Sequence, residues 1–92
     1  MNIYRVLLNG ENFLMTADGK AKKLGFYTTR FVEAANEAEA ESVAVSILRQ
    51  DERLRGTVLN TADDPPVIYT DEIEQVNTLE KAPGFTFYPS EA

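Results

Sequence analysis

The stretch from Gly25 to Gly56 constrains this chain more than any other. Its first part, Gly25-Phe26-Tyr27-Thr28-Thr29-Arg30-Phe31-Val32-Glu33-Ala34, reads as a strand that runs through Ala35 and Asn36 into a helix. Asn36 suits the N-cap, where a side-chain carbonyl accepts a hydrogen bond from a first-turn N–H, and Glu39 stands where a capping-box carboxylate reaches back. Glu37, Glu39 and Glu41 crowd the positive end of the helix dipole, and Arg49, Arg53 and Arg55 lie toward the negative end. Gly56 follows as a left-handed C′ residue. Between the caps, Ala40, Val43, Ala44, Ile47 and Leu48 fall at i, i+3, i+4, i+7 and i+8, one apolar stripe of helical period. The stripe holds no aromatic residue, and its two alanines let the helix backbone approach whatever lies beneath.

All nine aromatic residues fall outside this helix, in segments that read as strands. Ile3-Tyr4-Arg5-Val6-Leu7-Leu8 puts Tyr4, Val6 and Leu8 on one face and Ile3, Arg5 and Leu7 on the other. Asn9-Gly10 has the dipeptide of a tight hairpin turn, and Glu11–Thr16, with Phe13 and Met15 on one side, is the returning arm. The alternative is one wide hairpin with residues 9–24 as a long loop, a length uncommon without a role. Ala17-Asp18-Gly19 turns the chain, and Lys20, Lys22 and Lys23 make a solvated loop tip. After the helix, Val58-Leu59-Asn60 is a short extended piece and Thr61–Pro66 a loop with two donor-less prolines. Val67-Ile68-Tyr69-Thr70 opens a strand that continues through Val76 as an edge blunted by charge. Ala82-Pro83-Gly84 turns into a last strand, Phe85-Thr86-Phe87-Tyr88, stopped by Pro89.

These elements predict one α+β domain over residues 1–92. It is a two-layer sandwich of one main helix on a mostly antiparallel sheet of about four to five strands, in the order β-β-β-α-β-β. A chain of 92 residues buries roughly 60–65 % of its unfolded surface, enough for one core. One helix covers one face of a sheet, yet Phe26 and Val32 alternate with Tyr27 and Phe31. Some large apolar groups must therefore be covered by the N-terminal arm and the C-terminal Phe-Thr-Phe-Tyr segment, or meet a second copy or a partner. The candidate interaction surface is Phe26, Tyr27, Arg30, Phe31, Tyr69, Phe85, Phe87 and Tyr88.

Composition removes several kinds of chemistry. The chain has no cysteine and no histidine, hence no disulfide framework, no thiolate, and neither the commonest general base nor the commonest transition-metal ligand. Ser42 and Ser46 have no histidine to activate them. Asp63-Asp64, Asp71-Glu72 and Glu74 lack the alternating ligand pattern of a calcium loop and read as solvated acids. Arg30 either snorkels or makes a surface salt bridge, or holds a ligand carboxylate or phosphate. No glycine-rich phosphate loop or metalloprotease motif occurs, and no catalytic, cofactor or metal residues are assigned. A net charge of −6 repels nucleic-acid phosphates and anionic membranes. No apolar run approaches the ~20 residues needed to cross a bilayer, and Met1 leads straight into Asn2-Ile3-Tyr4-Arg5 with no basic and apolar leader pattern. The expectation is a soluble cytoplasmic protein.

Two resemblances bear on function. Lys23–Ala34 superficially resembles the basic-Gly-aromatic strand of the RNA-recognition motif. However, Thr28-Thr29-Arg30 interrupts the alternating aromatics, and only 24 residues precede Gly25, too few for the strand-helix-strand that family places first. The segments Gly25–Ala34 and Gly84-Phe85-Thr86-Phe87-Tyr88, with Pro66-Val67-Ile68-Tyr69 and the early Asn-Gly-Glu-Asn-Phe, resemble a group of small uncharacterised bacterial proteins. That resemblance implies a bacterial cytoplasmic protein without an established activity, so it assigns no site residues. The residues favour a non-enzymatic interaction module that binds a protein partner or itself. The alternative is a small-molecule binder or minor enzyme with a helix–sheet pocket served by Arg30, Tyr27 or Tyr69.

Overall fold

The computed structural model describes residues 1–17, 19–51, 54, 59–61, 63–80 and 84–89. Its elements in chain order are β1 (Asn2–Ala17), β2 (Lys20–Ala34), α1 (Glu37–Arg49), β3 (Val67–Val76) and β4 (Thr86–Pro89). The strands form one antiparallel sheet in the order β3-β1-β2-β4. The class is α+β, as expected, with one helix against one sheet. The sequence of elements is β-β-α-β-β, because the two short strands expected before β2 are a single 16-residue strand.

Asn9-Gly10 does not turn the chain. Gly10 stays in the ladder opposite Phe26, and Phe13 then pairs with Leu24, so Glu11 and Asn12 together face the single residue Gly25. This is a β-bulge. Asn12 takes the left-handed conformation at φ 60°, which asparagine tolerates better than most residues. The extra residue exchanges the faces of β1. Tyr4, Val6 and Leu8 point into the core before the bulge, and Phe13 and Met15 after it. The reversal falls later, where Gly19 sits at φ 77°. Lys20, Lys22 and Lys23 are therefore residues of β2 rather than a loop tip, and Lys23 pairs with Asp64 at 2.9 Å.

Gly10 is required for a different reason from the one its dipeptide suggests. A Cβ there would collide with the edge of the Phe26 ring and with Phe13. Phe26 thus lies against bare backbone, as aromatic rings do when they cover a glycine across a strand pair. Phe13 (5.0 Å between centroids), Phe85 (5.0 Å) and Phe87 (5.9 Å) surround it.

Helix α1 starts as its sequence requires. Asn36 is extended at φ −157°, and its side chain accepts from the Glu39 N–H at 2.9 Å. The Glu39 carboxylate reaches the N–H of Ala35 at 3.4 Å, one residue before the cap. The end differs from expectation. The helix stops at Arg49, with Gln50 as a right-handed C-cap, and Arg53, Arg55 and Gly56 lie outside the described residues. The buried line is Ala40, Ala44 and Leu48, an i, i+4, i+8 ridge of the kind that packs into the grooves of a neighbour. Val43 and Val45 flank that ridge against the core, whereas Ile47 stands off it and is 44 % exposed. The helix contacts β1, β2 and β3. At about 1.5 Å per residue its 13 residues span only part of the sheet's length, and the phenylalanine cluster at β4 covers the same face further along.

Gly10→Ala is expected to lower stability by about 1–3 kcal/mol, the usual cost of forcing volume into a packed core. The readout is a lower urea midpoint with an unchanged slope. An unmoved midpoint would mean that Phe26 does not need the bare backbone beneath it.

Candidate functional site

The helix covers one face of the sheet, and among the described residues no element covers the other. Tyr4, Val6, Leu8, Phe26, Val32 and Ala34 join Ala40, Ala44 and Leu48 in one buried cluster, which fixes the helix side. By strand alternation the opposite side presents Ile3, Arg5, Leu7 and Asn9 of β1 and Tyr27, Thr29, Phe31 and Glu33 of β2. The registers align these in rows across three strands: Val76–Ile3–Glu33, Glu74–Arg5–Phe31, Glu72–Leu7–Thr29 and Tyr69–Asn9–Tyr27. β3 carries its own bulge between the Glu72 and Thr70 pairings, which leaves Asp71 unpaired in the ladder.

Tyr88 closes one end of the open face. It pairs with Gly25, where a Cβ would run into its ring, so each of the two glycines nearest the bulge receives an aromatic ring, on opposite sides of the sheet. The Tyr88 hydroxyl crosses the sheet to donate to Asn9 Oδ1 at 2.7 Å, and its ring lies 5.5 Å from that of Tyr27. Burial, and after it the negative charge of Glu11, holds the Tyr88 phenol above its ordinary pKa. Tyr27 (40 % exposed) and Tyr69 (47 %) stand on the strands either side of Asn9.

The eight residues expected to form one surface divide between the two faces. Tyr27, Phe31, Tyr69 and Tyr88 share the open side. Phe26 is fully buried on the helix side, Phe85 is partly buried beside it, and Phe87 sits at the rim of the same cluster. Arg30 is also on the helix side and only 4 % exposed, so it neither snorkels nor faces solvent. Its Nη2 meets Asp51 Oδ2 at 2.9 Å. Its Nη1 donates to Thr28 Oγ1 (2.6 Å) and to the Thr29 carbonyl (2.9 Å), and the guanidinium lies 5.4 Å from the centre of the Phe85 ring. Asp51 follows the C-cap directly, so this ion pair ties the end of α1 to the middle of β2. Sequence reading missed Asn9, whose polar side chain supports Tyr88. It looked like a turn residue, and its only sequence signal is its place in the alternation of β1.

Of the residues expected to serve a helix–sheet pocket, Arg30 lies on the helix side, and Tyr27 and Tyr69 lie on the opposite side of the sheet. A groove of about 520 Å³ runs along the helix flank, lined by Glu41, Ser42, Val45, Ser46, Arg49 and Gln50. Among the described residues no group of three or more acids is placed to hold a metal ion, and no helix is long and apolar enough to cross a membrane. Asp64 has a structural role. It accepts from Asn12 Nδ2 at 2.8 Å and pairs with Lys23, while Asn60 accepts from the Leu14 N–H (2.7 Å) and donates to the Asn12 carbonyl (2.8 Å). The loop after the helix is thus laced to the bulge. No family model, curated protein or solved structure matches the chain.

Two outcomes follow from these polar contacts. Asp51→Ala removes a carboxylate from a buried guanidinium. It is expected to cost about 3 kcal/mol, the low end for breaking a buried pair because Asp51 keeps some solvent. The Arg30→Met/Asp51→Ala double variant should regain part of that loss, and a strictly additive cycle would refute the coupling. Asp64 has its pKa lowered by the Lys23 and Asn12 hydrogen bonds. A carboxylate whose folded pKa is depressed adds stability above its unfolded pKa and loses it as pH falls through the folded value. Carboxyl-carbon NMR should therefore show Asp64 titrating below the ordinary aspartate range and Lys23→Met moving it upward. No movement would exclude the ion pair as the cause.

Proposed function

We propose that the chain is a non-enzymatic interaction module of a bacterial cytoplasm, docking a polypeptide, either another protein or a second copy, on the open face of its sheet. One observation supports this most directly. The helix lies on the opposite side, and Leu7, Tyr27, Phe31 and Tyr69 stand together on a face that no described element covers. Aromatic rings on a rigid sheet suit docking, because each brings a large contact area while immobilising few torsions. Neighbouring apolar groups left on a surface commonly mark an interaction site. The edges add to this. β4 pairs with only Leu24–Tyr27 of β2, and β3 forms the other margin of the sheet.

Photocrosslinking in the producing cell tests the role. p-Benzoylphenylalanine at Thr29 or Glu72, on the open face, is expected to give discrete adducts, and the same residue at the exposed helix position Ala38 none. An adduct of twice the chain mass would name a second copy as occupant. Absence of adducts from the face, or equal yield from the helix, would remove the docking role.

A further inference from the structure

We infer that the occupant of the open face is a basic polypeptide segment, whose arginine or lysine side chains seat among Tyr27, Tyr69 and Tyr88 while its apolar residues cover Leu7 and Phe31. The inference rests on the docking role proposed above and specifies the chemistry of the partner.

The charge arrangement on the face is one-sided. Alternation and register put Glu11, Glu33, Glu72 and Glu74 on it, with Asp71 in the adjoining bulge. Arg5 is the one cation in these rows, and Glu74 already engages it at 3.3 Å. By the same alternation Lys23 of β2 also faces this side, just beyond Gly25, and Asp64 already pairs with it at 2.9 Å. An incoming ammonium or guanidinium therefore meets surplus negative charge.

The tyrosines supply the second attraction. Tyr27 and Tyr69 lie on the strands flanking Asn9, so their backbones stand about 10 Å apart, twice the strand spacing. Tyr88 sits beside Tyr27 and is fixed by its hydrogen bond to Asn9. A cation entering between the two sides has a tyrosine ring on each, and arginine in particular stacks on such rings. Acids within reach of the rings add Coulomb attraction where solvent is partly excluded.

The same charges reject a second copy. A two-fold interface presents each patch to itself, which would bring the glutamate rows of two chains together, each chain with a net charge of −6. The acids thus discriminate between occupants that would satisfy the apolar strip equally well.

The test is fluorescence anisotropy with a labelled peptide in which arginine alternates with leucine and threonine, against the same peptide carrying glutamate for arginine. Saturable binding of the arginine peptide is expected, weakening as salt screens the contact, with amide shifts confined to the sheet strands β1, β2, β3 and β4. Glu72→Gln/Glu11→Gln and Tyr27→Ala/Tyr69→Ala are each expected to weaken it at least about tenfold, the scale of desolvated cation–π and ionic contacts. Their amide spectra report that the fold persists, since none of these side chains belongs to the core cluster. Equal binding of the glutamate peptide, shifts centred on α1, or affinity unchanged in both variants would overturn the inference. So would a dimer in sedimentation equilibrium that Phe31→Glu dissociates, since it would make a second copy the occupant. No binding of the arginine peptide while the face still crosslinks would overturn the basic chemistry and leave the docking role standing. Loss of both would remove the role as well.

Discussion

At the bulge opposite Gly25, β1 takes in one residue more than β2 and so exchanges its two faces. The side-chain period of a strand is two, so a single inserted residue redirects every side chain beyond it. Here the redirection sends Phe13 and Met15 to the side already occupied by Tyr4, Val6 and Leu8. Without it the far half of β1 would turn those residues away from the helix side. Phe26 would lose the neighbour 5.0 Å away that helps enclose it. The loop after α1 is laced to the same place through Asn60 and Asp64, because β3 pairs with β1 only as far as Glu11 and leaves that edge of β1 without a strand beyond it. β1 can thus be a long strand and still serve a single core.

The second constraint is electrostatic. A guanidinium beneath a helix is an unfavourable guest unless its charge and its donors are met. Arg30 obtains both from its surroundings: Asp51 for the charge, Thr28 and Thr29 for the donors, and the Phe85 ring alongside. The packed ridge of Ala40, Ala44 and Leu48 tolerates small shifts along the sheet at modest cost. The ion pair does not, since displacing α1 would separate buried charges. Small residues set how near the helix comes, and Arg30 with Asp51 sets where along β2 it stops.

Parts of this were legible in the residues and parts were not. The N-cap at Asn36 and the alternation of Phe26 and Val32 with Tyr27 and Phe31 are local signals, and both survive in the fold. Asn9-Gly10 misled because its turn preference is a property of the isolated dipeptide. In the sheet, Gly10 is needed for the ring above it and Asn12 takes the left-handed conformation, and neither fact can be seen within a few residues of sequence. The burial of Arg30 was hidden for the same reason, since its partner Asp51 is 21 positions away. The open face was legible as a deficit of cover. Which rings remain on it was not, because Phe85 just before β4 and Phe87 within it turn toward Phe26 while Tyr88 goes to the other side.

That split at β4 links the core to the surface. Successive residues of a strand point to opposite sides, so Phe87 and Tyr88 cannot both shelter the core, and one of them must furnish the open face. The strand uses the polar-tipped ring there, over Gly25 and bonded to Asn9, and the purely apolar ring beside Phe26. Tyrosine suits such a place because its body covers backbone while its hydroxyl satisfies a partner. The acids of β3 and the bulge then surround a face whose rings are already positioned. Tyr88 is thereby held by the sheet itself, through its hydroxyl on Asn9 and the bare backbone of Gly25 beneath its ring.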